Sequence, residues 1–230
     1  MYYEQQRPGI PEVTRNIIII NVIFYIATLI NENFMVSVFG LFYPASQYFH
    51  WWQPLTHMFM HGGFWHIFFN MYTLLIFGMA VERTIGWRKF LVYYFVCGLG
   101  AAALHMGVQW IEASHFMAQM ADGASEVSAA AAKSYAELKM VPTVGASGAI
   151  YGVLLGYAFL YPQNQMTLLF PPVTLSAKWM VLIFLGIELF TGVSGTLDGV
   201  AHFAHLGGAL FGWLMMLWWK RTGALYNQGW

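Results

Sequence analysis

Val144-Gly145-Ala146-Ser147-Gly148-Ala149-Ile150-Tyr151-Gly152 sets a hydroxyl among small residues at the point where an apolar helix is expected to begin. Gly148, Gly152 and Gly156 recur every fourth residue, so one face of that helix carries no side chains and a second helix can approach it closely. A matching design follows in Ala201-His202-Phe203-Ala204-His205-Leu206-Gly207-Gly208, with Gly212 one turn beyond. His205, Gly208 and Gly212 share roughly one helix face, which turns His205 toward the glycine seam and within reach of Ser147. A serine hydroxyl beside an imidazole is the minimum for acyl transfer. Tyr151, one turn after Ser147, is expected to lie against that imidazole and hold its ring by stacking. His202 is rotated away from this face, and an interfacial polar contact is expected of it.

At 230 residues the chain is 59% hydrophobic and 18% aromatic with only 9% charged, which excludes an ordinary soluble domain. Its formal net charge is zero, so nothing favours nucleic acid as a partner. The length leaves room for about six spans of 20 residues with their loops and for no separate soluble domain. Cys97, the one cysteine, lies in an apolar run; no disulfide framework or Cys-x-x-Cys site is available, and packing is its expected role. The stretch before the first span is polar, and no small-residue cleavage site follows that span, so it is expected to be retained.

Apolar runs fall at residues 16–30, 64–81, 90–110, 147–161, 175–190 and 200–219. The expected fold is an all-α, multi-pass membrane protein, a single domain over 1–230 built as a bundle of six transmembrane helices. Arg7, Arg15, Arg83, Arg88, Lys89, Lys178, Lys220 and Arg221 then fall on one side, with only Lys133 and Lys139 on the other. The positive-inside rule puts both termini in the cytoplasm and starts the second, fourth and sixth spans at the outer face. Ser147 is thus expected at a helix N-terminus near or below the outer surface, where unpaired backbone N–H groups can stabilise an oxyanion. The first outer loop, 31–63, is rich in Phe, Tyr, Trp and His without Lys or Arg, which suits a segment lying at the interface. The third, 111–143, contains an Ala-rich polar stretch, either an external helix hairpin or a mobile loop; composition leaves both open.

A third constellation, His61-Gly62-Gly63-Phe64-Trp65-His66-Ile67-Phe68-Phe69-Asn70, runs from the first loop into the second span. His66 and Asn70 are four residues apart and project from one helix face. Together with the backbone N–H of Ser147 they are donors suited to a tetrahedral oxyanion. Each element alone has a plainer explanation: Gly and Ser at close helix contacts, and an Asn bonding a neighbouring helix. Their conjunction on helices that all start at one face selects the catalytic reading.

In these motifs the chain resembles the rhomboid intramembrane serine proteases. The likeness runs through His61, His66 and Asn70, then Glu82 with Gly86, then Gly145-Ala146-Ser147-Gly148 to Tyr151, and Ala204-His205-Leu206-Gly207-Gly208 to Gly212. It implies Ser147 as nucleophile, His205 as general base and acid, and an oxyanion hole of His66, Asn70 and the Ser147 backbone. The family often carries Trp-Arg in the first loop where this chain has Trp52-Gln53, which bears on how that loop is anchored. The resemblance also implies single-pass membrane proteins as substrates, with entry past the fifth span and the fifth loop, 191–199, as a movable cap. No cofactor and no metal are implied, and a bacterial inner membrane is the expected location.

Glu188 falls late in the fifth span and Asp198 in the fifth loop; neither has an evident path to His205, so a Ser147–His205 dyad is expected. Three rivals carry other readings. A metal transporter would use His61, His66, His202 and His205, but carboxylates within the spans are scarce. A non-catalytic rhomboid-like binder of membrane segments would typically lack the nucleophile or the base, and this chain has both. A metal-dependent protease would want His-Glu-x-x-His, which does not occur.

Overall fold

Helix α1, Glu12–Ile30, follows Pro11 and has no side-chain cap from its own flank. The cap comes from a distant helix: Glu82 accepts the backbone N–H groups of Val13 (2.9 Å) and Thr14 (2.7 Å) and the Thr14 hydroxyl (2.7 Å). A carboxylate there satisfies donors that the helix itself cannot and complements its dipole. The computed structural model describes residues 9–121, 126–168, 172–194 and 199–225.

After α1 come α2, Glu32–Phe39, and α3, Gln53–Thr56, which continues as a 3₁₀ turn over His57–Phe59. Helices α4, Phe64–Thr73, and α5, Met79–Ile85, are joined by a π-helical turn at Leu74–Gly78 and end at Gly86, whose φ of +85° stops the helix. Helix α6, Trp87–Ala121, is 35 residues long, and α7, Glu126–Met140, folds back along it. Then follow α8, Ser147–Leu160, the strand pair β1, Gln165–Thr167, and β2, Thr174–Ser176, and finally α9, Ala177–Ser194, and α10, Gly199–Arg221. Helices Glu12–Ile30, Phe64–Ile85, Trp87–Ala121 and Ala177–Ser194 are long and apolar enough to cross a membrane, while Ser147–Leu160 is apolar but shorter.

Several expected boundaries need correction. The third apolar run does not stop at 110, because its helix continues to Ala121 and the Ala-rich stretch returns as α7; Ala131 of α7 is buried. A strong helix former needs only modest packing to stay helical. The fifth helix begins at 177 rather than 175, since residues 174–176 pair with 165–167 and the Ala177 N–H is taken by the Asn164 carbonyl. It also runs on to Ser194, so much of the expected fifth loop is helix. Asp198, Arg7 and both termini lie outside the described residues.

The burial pattern is inverted relative to a water-soluble bundle. Asn21, Gln53, His61, Asn70, Glu82 and Glu188 are buried, while Ile23, Ile26 and Leu29 of α1 and Leu182, Ile187 and Phe190 of α9 are exposed. Exposed apolar faces of this extent need a non-aqueous surrounding. At the centre α10 packs against α6 and α8 through the glycine seam. A methyl on Gly212 would lie 3.2 Å from Gly152 Cα, and one on Gly207 2.9 Å from the Gly100 carbonyl oxygen. No side chain fits at these two positions.

The two ends of the bundle are tied separately. At one end Glu82 holds α1, Arg83 donates to the Gly9 carbonyl (2.8 Å) and Lys89 donates to the Ala224 carbonyl, which joins the start of α1, the α5–α6 turn and the end of α10. At the other, Leu41 and Thr143 exchange backbone hydrogen bonds of 2.9 and 2.8 Å, pairing the first loop with the segment that leads into Ser147.

Candidate active site

Ser147 is the first residue of α8, and that helix starts without a side-chain cap. Its first-turn N–H groups therefore remain without intrahelical acceptors beside the serine hydroxyl. The residues before it are held from the first loop: Gly145 donates its N–H to the His57 carbonyl (3.0 Å). Gly145 has φ +136°, a conformation costly for any other residue. Space requires glycine there as well. A methyl at that position would sit 2.9 Å from both Cε1 and Nε2 of His66 and 3.5 Å from Ser147 Oγ.

The structure brings His205 of α10 to Ser147, with Nε2 2.8 Å from Oγ. The approach depends on the seam, because a methyl on Gly208 would lie 1.8 Å from the Gly148 carbonyl oxygen. Tyr151 stacks on the His205 ring, with centroids 4.4 Å apart and planes at 9°. His66 reaches the same place from α4, and His61 packs edge-on against it at 5.0 Å. Burial and the neighbouring His66 push the His61 imidazole down to about 3, so it stands neutral at physiological pH. Asn70, one turn below His66, is buried, and its Nδ2 donor has no partner among the described residues. A buried amide donor without an acceptor is costly. That cost is recovered if an oxygen arrives beside it.

One expectation is overturned. Glu188 does have a path to His205: its Oε2 lies 3.1 Å from His205 Nδ1 and 2.5 Å from His202 Nδ1, and its Oε1 accepts the Tyr151 hydroxyl. Helices α9 and α10 form a hairpin; Glu188 stands six residues before the end of α9 at Ser194, and His205 six after the start of α10 at Gly199. Residues equidistant from a hairpin turn lie at the same depth. That count is the signal the sequence carries for this contact, since separation along the chain says little about separation in space across a hairpin. His202 likewise faces Glu188 rather than an interface alone. The donor atoms of Glu188, His202 and His205 lie within 4.8 Å of one another, a two-imidazole, one-carboxylate set of the kind zinc accepts.

The Gln53 departure also has a structural answer. Fully buried, Gln53 donates through Nε2 to the carbonyls of Tyr48 (2.8 Å) and Ser37 (3.4 Å) and accepts the Phe42 N–H at Oε1 (3.3 Å). A neutral amide thus pins the first loop at three points, and Trp52 adds a fourth through its Nε1–H to the Val38 carbonyl (2.9 Å).

Comparison with known proteins decides the family. A family model described as the Rhomboid domain matches residues 48–221. The chain belongs to the rhomboid family. Rhomboid protease AarA of Providencia stuartii is 24% identical over 91% of this chain and 73% of its own length. Rhomboid protease GlpG of Yersinia pseudotuberculosis is 26% identical over 97% of this chain and 68% of its own. Rhomboid-type serine protease 2 of Emericella nidulans is 27% identical, but the matched 70% of this chain spans only 25% of that longer protein. The matched region of this rhomboid chain contains Ser147, His205, His66 and Asn70, and it begins just ahead of Gln53.

Proposed function

We propose that this rhomboid chain is an intramembrane serine endopeptidase, a hydrolase cleaving membrane proteins, with Ser147 as nucleophile and His205 as general base. The observation that carries the reading is the 2.8 Å contact between His205 Nε2 and Ser147 Oγ. Nε2 takes the hydroxyl proton as Oγ attacks the scissile carbonyl carbon, then gives that proton to the departing amine. The acyl-enzyme is resolved by water through the same two residues. As the tetrahedral intermediate forms, its oxygen is received by the Ser147 N–H, His66 and the Asn70 amide, which has no partner among the described residues.

The 14 residues of α8 extend about 21 Å, short of a hydrocarbon core of about 30 Å. Ser147 therefore works below the outer surface, where His61, His66 and Asn70 keep a polar pocket. Substrates are single-pass transmembrane proteins, unwound near the cut because a helical peptide hides its carbonyl carbon. The whole chain acts as one membrane domain of six crossings with both termini cytoplasmic, and a bacterial inner membrane fits it best. The basic end formed by Arg15, Arg83, Arg88, Lys89 and Lys220 supports that orientation.

The test is cleavage of a model transmembrane substrate by purified protein, with fluorophosphonate labelling as a parallel readout. Ser147→Ala and His205→Ala are each expected to fold and to lose both signals. Normal turnover by Ser147→Ala would end this reading in favour of a non-catalytic binder or a transporter.

A further inference from the structure

We propose that Glu188 is the positioning residue for His205, so that this chain works with a Ser147–His205–Glu188 triad whose acid is carried by α9. The inference rests on the reading of Ser147 and His205 as nucleophile and base. Its observation is the line of contacts running from Ser147 Oγ to His205 Nε2 at 2.8 Å and from His205 Nδ1 to Glu188 Oε2 at 3.1 Å.

The argument starts from the tautomer. To accept the serine proton, Nε2 must present its lone pair, and a neutral imidazole then carries its hydrogen on Nδ1. Nδ1 of His205 is buried and makes no aligned hydrogen bond among the described residues, and the carboxylate oxygen 3.1 Å away is the acceptor within its reach. When the proton moves from Oγ to Nε2 the ring becomes a cation. Glu188 stays ionised, and its charge opposes the new one at short range in a site partly withdrawn from water. The proton leaves with the amine and the ring returns to neutral.

Glu188 is itself held in place. Tyr151 donates to Oε1 while stacking on His205, so one side chain fixes both base and acid. His202 binds Oε2 from the turn before His205. Among the described residues the other titratable group set against His205 from a neighbouring element is His66 of α4. His66 is not an anion, so among the described residues Glu188 is the carboxylate of this cluster.

The experiment compares kcat, KM and the pH dependence of kcat/KM for the native protein, Glu188→Gln, Glu188→Asp and His202→Ala on one transmembrane substrate. Glu188→Gln should lower kcat on the order of 10²-fold with KM nearly unchanged, and should move the acidic limb to lower pH, because the imidazolium loses its counter-charge. Glu188→Asp should recover part of both effects. His202→Ala, which removes the other claimant on Oε2, should fall far less than Glu188→Gln. Histidine ¹⁵N spectra of the native protein, with the His205 signals assigned by difference against His205→Ala, should show the proton on Nδ1 and need no folded Glu188 variant. Native kcat and an unmoved limb in Glu188→Gln, a greater loss in His202→Ala than in Glu188→Gln, or a proton on Nε2 would each overturn the triad. An inactive native protein would instead overturn the protease reading beneath it.

Discussion

Gly208 and Gly148 meet backbone to backbone, so closely that a methyl on Gly208 would stand 1.8 Å from the Gly148 carbonyl oxygen. This contact sets the separation of α8 and α10 right beside Ser147 and one turn from His205. Gly208→Ala must push the helices apart, since the obstructing atom is backbone. We expect a loss of about 3 kcal/mol of stability, the upper end for overpacking, together with loss of cleavage. Thermal unfolding in detergent reads the first and the substrate assay the second. A variant of native stability would mean that the seam is looser than the structure shows.

His66 and Asn70 are assigned to the developing oxyanion, so their removal should act on the transition state. His66→Ala and Asn70→Ala are each expected to lower kcat more than they raise KM, by about 2.7–4 kcal/mol apiece. The loss is smaller where the α8 N–H groups compensate. If both single variants and the double variant kept native kcat, the pair would be packing residues only.

The first loop carries a pH dependence of its own. Burial drives the His57 imidazole down to about 4, although its Nδ1–H donates to the Gln53 carbonyl at 3.0 Å. A base whose folded value lies below the unfolded 6.5 binds its proton more readily when unfolded. Stability is therefore whole above pH 6.5 and declines as pH falls toward 4, by about 3 kcal/mol for this group. The His57→Gln variant keeps a donor without the titration. Melting curves across that interval should fall more steeply for the native protein than for the variant, and parallel curves would remove His57 as the cause.

Orientation can be read chemically. In a Cys97→Ala background, single cysteines in α7 near Lys133 should react with an impermeant thiol reagent from outside intact cells, and cysteines beside Arg88 or Lys220 only after permeabilisation. The opposite pattern would invert the protein and put the Ser147 pocket at the cytoplasmic face.

Much of this protein follows from local regularity in its chain. Apolar runs mark the helices because a bilayer demands continuous apolar length and internally satisfied backbone. The every-fourth-residue glycines, and the offset of His205 from Gly208 and Gly212, mark the faces because a helix repeats at 3.6 residues. These periodicities suffice to set Ser147, His205 and Tyr151 in one place. Other features depend on which helices become neighbours and at what depth, which no single segment encodes. Glu82 capping α1, Gln53 pinning three loop carbonyls and amides, and the His57 carbonyl holding Gly145 are all of this kind. So is Glu188, which shares a level with His205 only because α9 and α10 fold back on each other. A helix face can be computed from spacing along one element, whereas contact between elements exists only once their packing has fixed their relative height and rotation.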